Sequence, residues 1–152
     1  MPIGVAVGRW ASERGVTVNV AQGASGEPIP DDVVARLTEI AARVAERHQD
    51  PEPTWAAVVA TTRNKALEVL ANYGPQTIPG GPGTVPVYAV AMTGIFISPR
   101  ARGRRGAPGP RTWSSLHIVV EASTLEGRDV GVRNWDPRAA LSQLGPVTRL
   151  TW

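Results

Sequence analysis

Five arginines, Arg100, Arg102, Arg104, Arg105 and Arg111, fall within residues 98–111, and no acid lies among them. A guanidinium offers paired N–H donors that match the oxygens of phosphate, sulfate and carboxylate groups. Trp113 follows, an aromatic face suited to stacking on a base or a sugar. Three glycines and three prolines within 99–110 favour an open, extended segment. Arg100, Arg102, Arg104, Arg105, Arg111 and Trp113 are therefore the candidate residues for contact with an anionic polymer or an unidentified protein partner. The net charge of +3 depends on this one segment, because without its five arginines the chain is net −2. A polyanion contact is accordingly expected to be local.

Other residues with chemical potential read differently. Ser114, Ser115, His117 and Glu121 hold the ingredients of a hydrolytic triad. His117 and Glu121 would lie about 13 Å apart along a strand, too far for a hydrogen bond, and are expected on the solvated side of a half-buried strand. No Gly-x-Ser-x-Gly elbow is present. His48 and His117 each lack a second imidazole at ligand spacing, and the pairs Asp31/Asp32 and Asp50/Glu52 read as cap and turn residues, so no metal site is expected. The run Gly80-Gly-Pro-Gly83 lacks the Lys-Ser/Thr of a phosphate loop, and proline removes amide donors. In Thr61-Thr62-Arg63, Thr62 is expected to face the core and Arg63 to pair with nearby acids. The sequence has no cysteine, which excludes disulfides, thiolate nucleophiles and iron–sulfur clusters. No catalytic residue and no cofactor is assigned.

The elements that must position the basic segment are legible from periodicity. Residues 87–97 and 116–122 are apolar and β-branched, and they alternate as strands that bury one face and wet the other. They read as an antiparallel ribbon with 98–111 as its long loop. In 31–48, Val33, Val34, Leu37, Ile40, Ala41, Val44 and Ala45 share one helical face, Asp31 and Asp32 supply the N-cap and first-turn charge, and Pro51 ends the run. Residues 54–71 have the β-branched content of a strand at 55–62, but the spacing of Ala56, Val59, Thr62, Ala66, Val69 and Leu70 favours a second helix. A third strand is expected at 129–132. A short helix follows at 138–144, with Asp136 and Pro137 at its start and Gly145-Pro146 at its end, and the tail 147–152 returns to the sheet. Residues 1–25 form a separate arm or hairpin, with apolar alternation at Ile3, Val5, Val7 and at Val16, Val18, Val20, able to join copies of the chain into an oligomer or filament. Residues 26–152 form a single α+β domain, an antiparallel sheet built mainly from the C-terminal half and packed on one or two helices.

No apolar run approaches the ~20 residues that span a bilayer. The first ten residues lack the charged start and apolar core of a signal peptide. From Asp50 to Leu150 the chain resembles a group of small exported actinobacterial proteins of no established activity. The resemblance rests on Asp50-Pro-Glu-Pro-Thr54, Val59-Ala-Thr-Thr-Arg63, residues 87–96 and 116–122, and Leu144-Gly-Pro-Val147. The helix–strand–loop–strand order is also similar to PepSY-type and cystatin-like modules, although Glu121-Ala-Ser-Thr-Leu-Glu-Gly127 lengthens the PepSY turn and replaces its aspartate. These resemblances imply a secreted α+β domain, with peptidase regulation as one case, and carry over no site residue. The function expected is a non-enzymatic binding or structural module of the envelope or extracellular space, with the cytoplasm left open. The alternatives are a small hydrolase using carboxylates or His117 in a helix–sheet groove, and a self-assembling structural protein.

Overall fold

The computed structural model describes residues 11–12, 15–16, 28–71, 84–98 and 111–152. The expected hairpin in 1–25 falls outside them, apart from the paired two-residue strands Ala11–Ser12 and Gly15–Val16. The remaining described residues form an α+β fold. Its helices are α1 (Asp31–Arg47), α2 (Arg63–Leu70) and α3 (Arg138–Leu144). Its strands are β1 (Trp55–Thr62), β2 (Pro86–Ile97), β3 (Thr112–Glu121), β4 (Gly127–Arg133) and β5 (Thr148–Arg149). They make one antiparallel sheet in the order β4-β3-β2-β1-β5.

Residues 54–71 are not one helix. Residues 55–62 form an inner strand paired with β2 from Trp55↔Thr93 to Thr62↔Pro86, and the helix begins only at Arg63. The reason is burial on both sides. Ala56, Val58 and Ala60 join the core beneath α1, while Ala57 and Val59 join the core beneath α2 and α3. A strand covered on two faces shows a continuous apolar run rather than alternation with polar residues. The same correction applies to the ribbon, where six consecutive residues in β2 (87–92) and in β3 (115–120) are buried. Neither flank has a wet face along those stretches.

The first layer is α1, whose Leu37, Ile40, Ala41, Val44 and Ala45 pack over Val90, Met92, Phe96, Leu116, Ile118 and Val120. Asp31 and Asp32 occupy its first turn, but the N-cap position is Pro30 and no side chain caps it. Its C-terminus is closed by backbone bonds from Gln49 N–H to the Glu46 carbonyl (2.9 Å) and from Asp50 N–H to the Ala45 carbonyl (3.0 Å). That is a Schellman turn with Gln49 in the left-handed region at φ 65. On the opposite face, small residues at Ala57, Ala89 and Ala91 leave room for Leu67, Leu70 and Leu141 of the short helices. Asp136 lies just ahead of α3, its carboxylate accepting the Arg138 backbone N–H at 3.0 Å.

Candidate functional site

The sheet presents the basic segment from one end of the ribbon. β2 and β3 are in register from Val87↔Glu121 to Thr93↔Ser115, then one extra residue in β2 makes a bulge before Phe96↔Trp113 and Ile97↔Thr112. Two contacts fix this bulged end. The Asp50 carboxylate accepts the Ile95 N–H at 2.8 Å, and the His48 carbonyl accepts the Ile97 N–H at 2.8 Å. Both acceptors lie at the C-terminal end of α1, so the Schellman turn also aims them at β2. Gly94 is required here, because a side chain at that position would run into the Asp50 carboxylate and the Phe96 ring. Replacing Asp50 with alanine strips the Ile95 amide of its charged acceptor, and a loss of about 1–2 kcal/mol is expected in urea denaturation. An unchanged midpoint would show that the bulge holds itself.

Of the expected contact residues, Arg100, Arg102, Arg104 and Arg105 lie outside the described residues. Arg111 is exposed immediately before β3. Trp113 is half-buried against the α1-side core, with its indole nitrogen buried and without a partner among the described residues. The structure thus brings Arg111 and Trp113 to the ribbon end, with the tryptophan contributing to packing.

A second constellation lies at the other side of the sheet, in a cleft of about 390 Å³ between α2 and the edge strand β4. Its lining includes Leu67, Ala71, His117, Arg128, Asp129 and Arg133. His117 was expected in solvent, yet only 7% of it is exposed. It shares a sheet face with Val119, and that face is roofed by helices rather than water. The imidazole sits under Gly131, its register partner on β4; a Cβ there would come within 2.5 Å of His117 Cε1. Burial first, and then the Arg133 charge, lower the His117 pKa from 6.5 to about 4, against a smaller opposing pull from Asp129.

Arg63 closes the back of this region. Its Nε donates to Asp129 Oδ2 at 3.1 Å and its Nη2 to Asp129 Oδ1 at 3.3 Å, while Nη1 is buried without a partner among the described residues. The expected pairing of Arg63 with an acid is therefore present, but Thr61 rather than Thr62 is the buried threonine; the Thr62 hydroxyl donates to Asn64. Arg133 donates through Nη1 to the Leu70 carbonyl at 3.0 Å, and its guanidinium lies 4.4 Å from the Trp135 ring centroid. Arg128 pairs with Glu121 at 3.1 Å.

Asp129 and Arg133 were not singled out from sequence. The only signal was the expectation that Arg63 needs an acid, which did not say which one. Among the described residues there is no group of three metal-ligating side chains and no helix long and apolar enough to cross a membrane. Ser115, the serine nearest His117 in sequence on the same strand face, donates its hydroxyl to the Arg133 carbonyl at 2.9 Å. No family model, curated protein or solved structure matches this chain.

Proposed function

We propose that the protein is a non-enzymatic binding module of the cell envelope or extracellular space, holding an anionic polymer through segment 98–111. The observation that carries this reading is the Ile97↔Thr112 pairing, which fixes both ends of an acid-free, five-arginine segment at one end of a rigid sheet. Charge delivered from such a mount acts locally and with multiple guanidiniums at once. The envelope location and the kinship with PepSY-type or cystatin-like modules rest on sequence resemblance and belong to this proposal. The hydrolase alternative has in its favour His117 and the Asp129 carboxylate in one helix–sheet groove. The described lining of that groove holds no serine, threonine or lysine to act beside them.

The test replaces Arg100, Arg102, Arg104 and Arg105 with serine and measures affinity for duplex DNA, used as a generic polyanion, across a salt series. The expected outcome is an unchanged melting temperature with the slope of log affinity against log salt reduced by about 3–4, if all four contact phosphate. Binding indifferent to both salt and these substitutions would remove the reading.

A further inference from the structure

The cleft between α2 and β4 differs from the ribbon end in combining a buried His117 with half-buried Asp129 and Arg133 that hydrogen bonds hold in place, and it is argued independently of the polymer contact proposed above. We infer that it is a phosphate-binding site, taking inorganic phosphate or a small phosphate monoester between Arg133 and His117.

The charge balance points to an anion. Both carboxylate oxygens of Asp129 are engaged by Arg63, and Arg128 is engaged by Glu121. Arg133 meets a backbone carbonyl and an indole face, but no carboxylate pairs with it among the described residues. A half-buried guanidinium without a counter-charge carries a desolvation cost that a bound anion offsets. Arg63 offsets the Asp129 charge from behind, and one of its buried Nη atoms meets no acceptor among the described residues.

The shape of the donor set points to phosphate. Arg133 has already committed one Nη to Leu70, so its two-pronged fork is not wholly free for a planar carboxylate. The other available donor is the His117 ring, which enters from β3 rather than from β4. Donors arriving from separate strands match a tetrahedral anion, whose oxygens face in different directions. With no side chain at Gly131, the imidazole packs directly against the β4 backbone and still contributes to the lining of the cleft. Burial and Arg133 keep the ring neutral near pH 7, so it offers one N–H without a competing positive charge until an anion arrives.

The experiment follows the His117 ring proton by NMR while sodium phosphate is titrated into the full chain at constant ionic strength. Saturable movement is expected at millimolar phosphate, together with a rise of the His117 pKa from about 4 toward 6.5. The four-serine variant of the 98–111 segment should respond as the unaltered chain does. Arg133→Gln should weaken binding by at least about tenfold. Ala71→Glu sets a carboxylate on the cleft wall beside Leu70, where it competes with an anion for Arg133, and it should abolish the response if Arg133→Gln fails to fold. A parallel titration with glycerol 2-phosphate separates the two ligand sources: equal affinity identifies a monoester, and weaker affinity identifies the free ion. An unmoved His117 signal in the unaltered chain, an equal response in Arg133→Gln or Ala71→Glu, or a response lost with the loop arginines overturns the assignment.

Discussion

Asp129→Ala should cost the fold about 3 kcal/mol, the lower end of what breaking a buried ion pair typically removes. The Arg63 side chain is 6% exposed and that of Asp129 is 25% exposed, so the cation is the more deeply buried member. Taking away the carboxylate leaves that cation with no counter-charge among the described residues, where its third nitrogen is already unpartnered. Water entering through the cleft beside Asp129 moderates the loss, which is why the lower end applies. Replacing both partners together, Arg63→Met with Asp129→Leu, should recover most of the stability, because the penalty comes from the stranded charge rather than from the lost attraction. Urea denaturation of Arg63→Met, Asp129→Leu and the double variant completes the cycle. If Asp129→Ala stayed within experimental scatter of the unaltered chain, Arg63 would have to be reaching water.

Acid should weaken the protein in a defined window. His117 takes its proton near pH 6.5 when unfolded but only near pH 4 in the native state. Between those values the unfolded chain binds more protons, so stability falls as pH drops through 6.5 and stops falling from this source below 4. The whole span corresponds to about 3 kcal/mol. Asp136, hydrogen-bonded and paired with Arg138, is lowered from 3.8 to about 2 and so titrates beneath this window. Replacing His117 with asparagine should flatten the stability profile between pH 6.5 and 4. A profile of the same steepness in that variant would place the acid sensitivity elsewhere.

Much of the architecture was readable from residue order because local and long-range preferences agree there. The 31–48 helix has an uninterrupted apolar stripe and a proline stop, and the ribbon flanks are β-branched on both sides of a glycine- and proline-rich break. The short helix before Gly145 was signalled by its start and stop residues, and Gly145 takes φ 156, a conformation rarely adopted by other residues. The segment 55–62 misled because Ala56, Val59 and Thr62 match a helical spacing by chance in a run that is apolar nearly throughout. Periodicity cannot distinguish a doubly covered strand from a buried helix when no polar residue marks a face. His117 then went wrong for a related reason. A sheet imagined with one wet face leaves its odd positions in water, whereas α2 and α3 cover them. The partnership of Arg63 with Asp129 joins positions 66 apart in the chain, and no local pattern encodes it.

The Schellman turn at the end of α1 has a consequence for how the molecule tolerates change. Because Asp50 and His48 grip β2 just before the chain departs at 98, and Thr112 rejoins opposite Ile97, the sheet is stitched shut upstream of everything in between. Sequence drift, lengthening or wholesale exchange of 99–110 is therefore expected to leave these flanking contacts in place. A heterologous peptide grafted between those two positions should leave the scaffold's unfolding transition where it was, making this a natural display port.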